Sequence, residues 1–164
     1  MSTIGIGLSA LAGLSGLAMA AQATVESPLQ GTWTLVAADR ILSNGEQVRD
    51  YGDNPKGRLM VDADGRYSLQ IFKSERPRFE AADKAAGRES EFKAAVMGSS
   101  THYGTVAVDA HEGILTFAIE SASFPNWEGT VQKRKYTLKD GVLSYQVPPR
   151  PDGGIPVSVW RKQD

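Results

Sequence analysis

The chain of 164 residues contains no cysteine, which removes disulfides, thiolate metal sites, cysteine nucleophiles and a lipid anchor on cysteine. Histidine is nearly as scarce. His102 and His111 are the two present, and without an HExxH or His-x-His spacing they give no zinc pattern. Charge of one sign is lacking too: 18 Lys and Arg against 19 Asp and Glu, with no basic cluster, leave little pull on nucleic acid or an anionic membrane. No Gly-x-Ser-x-Gly elbow, P-loop or Rossmann fingerprint is found, so serine hydrolysis, nucleotide and dinucleotide chemistry lack support and no cofactor is implied. Asp62-Ala63-Asp64-Gly65 opens like a calcium loop but lacks the third acid and the closing Glu; it reads as a hairpin turn. No metal site is expected.

What is present is 41% apolar and 23% charged residues, the composition of one soluble domain. Charge is unevenly placed. No Lys, Arg, Asp or Glu occurs before Glu26, and Ile4 to Ala20 is built of Leu, Ala, Gly, Ile and Ser, ending in the small-x-small triplet Ala18-Met19-Ala20. Residues 1–20 therefore read as a secretory signal peptide cleaved before Ala21. The alternative, an uncleaved membrane helix, is weakened by Gly5, Gly7, Gly13 and Gly16. Residues 21–28 then form a flexible lead-in, residues 29–162 the domain, and the expected location is periplasmic or secreted.

Turn dipeptides punctuate that domain: Asn44-Gly45, Asp64-Gly65, Glu112-Gly113, Asp140-Gly141 and Asp152-Gly153. Between them, Gly31–Arg40, Gly57–Val61, Arg66–Phe72, Thr101–Val108, Ile114–Ser121, Gly129–Leu138, Val142–Val147 and Ile155–Lys162 are rich in Val, Ile, Thr, Tyr, Phe or Trp and read as strands. Eight strands joined mainly by hairpins predict an all-β antiparallel meander, closed into a barrel so that no edge is exposed. Such a barrel can hold one small ligand. The exception is 79–97, where Phe79, Ala82, Ala86, Phe92 and Val96 recur at helical spacing; Gly87 splits this insert into two helices, which either cover the barrel mouth as a lid or pack on its side.

Gly31-Thr32-Trp33 resembles the Gly-x-Trp opening of lipocalin and calycin barrels. Added to it are Tyr51-Gly52-Asp53-Asn54-Pro55-Lys56-Gly57, Asp64-Gly65-Arg66-Tyr67-Ser68, His102-Tyr103-Gly104-Thr105, Pro125-Asn126-Trp127-Glu128-Gly129-Thr130 and the closing Trp160-Arg161. Together they resemble the bacterial and fungal lipocalin-like domain family, from Leu29 to Lys162. The resemblance implies a calycin-type barrel with an internal cavity and no single agreed activity. It further implies that Trp33 sits under the closed end with the Arg161 guanidinium across its ring.

Alternation identifies candidate lumen residues. Lys133 and Lys135 belong in water, so Gln132, Arg134 and Tyr136 point inward. An inward guanidinium must be answered by a protein acid, for which Glu120 is the candidate, or by a ligand acid. On Arg66–Phe72 the apolar face is Tyr67, Leu69 and Ile71. On Thr101–Val108 periodicity does not choose between the His102 and Tyr103 faces. His102 is either a proton-transfer group or a hydrogen-bonded core histidine, and His111, in a turn, is solvated.

Three functions follow. The first is a secreted or periplasmic barrel binding a small apolar or amphipathic molecule with one polar or acidic group, with Tyr67, Tyr103, Phe117, Trp127, Gln132 and Arg134 as candidate contacts. The second is a cofactor-independent lyase, isomerase or cyclase, in which His102, Tyr136, Arg134 and Glu120 are the candidate catalytic residues. The third is a structural protein whose barrel is filled by its own side chains; a cavity above about 300 Å³ would exclude it. No nucleic-acid partner is expected, and no membrane association after signal cleavage; the oligomeric state is open.

Overall fold

The computed structural model describes residues 26–164, so the expected signal peptide and the part of the expected lead-in before Glu26 lie outside the described residues. Among the described residues nine strands form one antiparallel sheet: β1 (Gly31–Ile41), β2 (Gln47–Val48), β3 (Lys56–Val61), β4 (Arg66–Phe72), β5 (Ser99–Asp109), β6 (Ile114–Ala122), β7 (Val131–Lys139), β8 (Val142–Gln146) and β9 (Ile155–Lys162). Neighbours in sequence pair as hairpins, and β1 pairs with β9, closing the sheet on itself. β2, a two-residue flap on the end of β1, is outside the ring, which leaves the eight-stranded barrel expected from the sequence.

Turn chemistry explains the connections. Between β7 and β8, Asp140 and Gly141 both take positive φ, 50° and 71°, the twist that a two-residue hairpin needs and that Asp-Gly supplies cheaply. Asp62 Oδ1 accepts from the backbone of Asp64 and Arg66 at 3.0 and 2.8 Å, so the calcium-like tetrapeptide is a turn held by its own side chain, as expected. At Gly104 the strand bulges; a Cβ there would collide with the Ala118 carbonyl oxygen, so only glycine lets β5 approach β6 this closely.

Inward residues fill one end of the barrel. Trp33, Leu59, Leu115, Leu143 and Trp160 are 0–1% exposed, and Leu29 joins them from the segment before β1. Trp33 Nε1 donates to the Leu29 carbonyl at 2.8 Å, which fixes the entering chain beneath the barrel. The cation over the Trp33 ring is Lys162 Nζ, at 5.7 Å, and Arg161 is exposed. This corrects the expected Arg161 stacking: Trp160 faces the core, so Lys162, two positions on, shares its face and Arg161 does not.

The insert after β4 consists of a 3₁₀ turn at Lys84–Ala86 and one helix, α1 (Glu89–Met97), separated at Gly87 as expected. Gly87 leaves room for the two rings beside it: a Cβ would press into those of Phe79 and Phe92, whose centroids are 5.3 Å apart, and force them to shift. Glu91 accepts from the backbone of Glu80 and Arg88, both at 2.8 Å, and ties the insert together. None of its residues reaches the barrel cavity; α1 contacts β5 from the side, with Val96 and Met97 exposed. It stands beside the mouth and is not a lid.

Candidate functional site

At the end opposite Trp33 the strands enclose a cavity of about 350 Å³. Its walls come from β1, β4, β5, β7, β8 and β9, its rim from residues 50–51, 127 and 147–150. That volume sets aside the reading of a barrel filled by its own side chains.

Arg134 is at the base of this cavity. Lys133 and Lys135 are exposed and Arg134 is 4% exposed, so the alternation of β7 turns out as expected. Its guanidinium Cζ lies 4.1 Å from the centroid of the Phe117 ring and 5.1 Å from that of Tyr145. Register explains the first contact: β7 pairs with β6 so that Leu115 opposes Arg134 and Phe117 opposes Gln132. Nη2 donates to Gln132 Oε1 at 2.9 Å, while Nε has no hydrogen-bond partner. Among the described residues no carboxylate pairs with Arg134. Glu120, the expected partner, is exposed and forms no bridge to it. Burial without a counter-charge pushes the guanidinium's pKa down, yet an arginine remains cationic.

The β4–β5 register settles which face of β5 looks inward. Leu69 pairs with His102 and Tyr67 with Gly104, and cross-strand partners share a face. His102 is therefore buried, at 5% exposure, and Tyr103 is on the outer face, 51% exposed, which removes it from the candidate contacts. Tyr67 Oη and His102 Nδ1 are 2.7 Å apart, and His102 Nε2 faces Arg134 Nη2 at 3.4 Å. Arg134 can only donate, so the lone pair of Nε2 turns toward it and Nδ1 carries the hydrogen, donated to Tyr67. Burial, reinforced by the Arg134 charge, drives the His102 pKa down from 6.5 to about 3, and burial raises that of Tyr67 above the usual phenol value. Both groups are neutral at pH 7.

Of the other candidates, Gln132 and Trp127 line the cavity, Trp127 from a short 3₁₀ turn at Pro125–Trp127. Phe117 and Tyr67 are buried beneath it as support, and Tyr136, half-buried against the core, does not reach it. His111 is exposed and bonded to Glu112, as its turn position implied. Sequence reasoning missed the rest. Tyr145 and Ser158, both buried, line the cavity, and Tyr145 Oη is without a partner. At the rim, Asp50 bridges Arg150 at 3.0 Å and Arg40 at 3.7 Å, and Arg40 also meets Asp152 at 3.0 Å. Arg150 and Asp152 come from a loop about a hundred positions after Arg40 and Asp50, where no periodicity could join them.

A closed antiparallel barrel, packed shut at one end and hollow at the other, with buried donors around the hollow, has the architecture of a lipocalin-like barrel. The chain belongs to the lipocalin-like domain family, whose model matches residues 30–162. No curated protein matches it. Among solved structures it is similar to a variant of the fluorescent protein UnaG, at 15% identity and a TM-score of 0.35, covering 82% of this chain and 95% of that one. It is also similar to fatty-acid-binding protein 1 of Echinococcus granulosus, at 13% identity and a TM-score of 0.37, covering 83% and 98%. Among the described residues no helix is long and apolar enough to cross a membrane.

Proposed function

We propose that the protein is a binding protein for a small, mostly apolar molecule that carries one acidic group, and that Arg134 receives that group. The observation that carries this reading is a guanidinium buried at the base of a cavity with Nε unpartnered and, among the described residues, no carboxylate bridged to it: Asp39 and Asp50, which line the cavity, are bonded to Gln47 and Arg150. An uncompensated buried charge costs several kcal/mol, roughly, and a ligand anion would offset that cost. The polar neighbours support the choice of an acid, because Tyr145 and Ser158 add hydroxyl donors beside it. Export is part of the proposal, supported by the uncharged apolar segment ending at Ala18-Met19-Ala20. Intact-mass measurement of periplasmic protein should find Ala21 as the first residue.

The lyase, isomerase or cyclase reading has one observation in its favour, the Tyr67–His102 hydrogen bond. Against it stands the titration of that pair. An imidazole with a pKa of about 3 and a phenol raised above its usual value neither give nor take a proton readily at pH 7.

Binding of a carboxylic acid and of its methyl ester, measured calorimetrically on the wild type and on Arg134→Met, tests the reading. The acid should bind the wild type more tightly, and the variant should lose about one to two orders of magnitude for the acid and little for the ester, the worth of a charge-assisted hydrogen bond. Equal affinity for acid and ester in the wild type would overturn it.

A further inference from the structure

We infer that the acid is compact and ring-bearing, and that long-chain fatty acids bind poorly by comparison. The inference rests on the anion-receptor reading above and adds the shape of the rest of the molecule. It starts from where the hollow stops. Most strands that line it contribute two inward positions: Leu69 and Ile71 on β4, Ser100 and His102 on β5, Gln132 and Arg134 on β7. Residues i and i+2 of a strand are about 7 Å apart, so the strand-lined part of the cavity is roughly that deep, and the rim residues stand above it.

Below Arg134 nothing remains to be filled. Phe117, Leu115, Leu143 and Trp160 are each 0% exposed, and none of them lines the cavity. Interiors packed to native density leave no channel for a chain to continue past the guanidinium. The hollow is therefore closed below Arg134 and opens only at the rim.

The walls above Arg134 favour a ring. Trp127 and Tyr51, both aromatic, and Pro148, Pro149 and Pro156, with their fixed pyrrolidine rings, are among the lining residues. Side chains with few rotatable bonds pack against a rigid ligand, which loses little rotational freedom on binding, whereas an alkyl chain would have to coil to stay inside. An acid entering carboxylate-first would put its ring level with Trp127 and leave its far edge at the rim formed by Asp50 and Arg150.

The experiment is calorimetric titration of the full chain with 2-naphthoate, palmitate and 2-naphthylmethanol, repeated on Arg134→Met, Trp127→Ala and Trp127→Phe. The expected result is naphthoate binding at one site at least about tenfold tighter than palmitate. Trp127→Ala should weaken naphthoate by roughly fivefold to tenfold, with recovery in Trp127→Phe, the range of an aromatic contact. If palmitate binds as tightly as naphthoate and both weaken in Arg134→Met, the compact-ligand inference fails and the anion receptor stands. If neither acid binds, or naphthylmethanol binds as well as naphthoate, both fail. Should Trp127→Ala not fold, the ranking of the two acids on the wild type decides.

Discussion

At the closed end of the barrel the inward positions carry Trp33, Leu59, Leu115, Leu143 and Trp160; toward the open end β1, β5, β7 and β9 carry Ala38, His102, Arg134 and Ser158. The backbone rule is identical at both ends, a side chain inward at every second residue. Volume and polarity at those positions make the difference. Large apolar side chains meet across the closed end and exclude water and ligand alike. At the open end smaller or polar groups stop short of one another and leave about 350 Å³. Stability and recognition are thereby assigned to different halves of one sheet.

Trp33→Ala tests that division most severely. Removing the ring should cost about 3–5 kcal/mol of unfolding free energy, read as a shift of the denaturation midpoint, while affinity for an aromatic acid in the folded fraction stays unchanged. Loss of binding at an unshifted midpoint would erase the distinction between the two ends.

His102 gives the next largest effect, and its sign follows from its position in the hollow half. The unfolded chain takes up a proton below about pH 6.5, but the folded protein refuses it until about pH 3. Between those values the unfolded state binds more protons, so stability is fully present above about 6.5 and falls by about 1.4 kcal/mol for each unit of acidification. His102→Gln should lack that part of the acid sensitivity. Parallel slopes for the two proteins in denaturant melts between pH 6 and 4 would show that the imidazole is not held neutral.

The smallest effect separates neighbours on one strand. Lys162→Met should lose about 0.5–1 kcal/mol from the cation over Trp33, and Arg161→Met close to nothing. Equal losses would mean that the register of β9 against β1 is misread.

Much of this contrast was legible in the sequence, and the exceptions have physical reasons. The strands were legible because each hairpin glycine in a turn dipeptide takes a positive φ, 81° at Gly65 for example, which few other residues adopt cheaply. Arg134 was legible because two flanking lysines can only be wet. His102 was not, since both faces of β5 mix polar and apolar residues; its orientation is set by Leu69 across the strand pair, a long-range fact. The absence of Glu120 from the site had the same cause: a charge pair inferred by type says nothing of which face each member occupies. The two faces offered for the insert, over the mouth or beside it, could not be separated by helical period, because α1 buries no residue at all.

The pairing of β1 with β9 also governs how the chain must come together. The first strand of the barrel waits for the last, so that until Ile155–Lys162 has emerged β1 offers an unpaired edge to any other extended chain. Contacts of such long sequence separation make closure the slow, late step of folding, and they make the final ten residues as necessary to the barrel as the Gly31-Thr32-Trp33 that begins it.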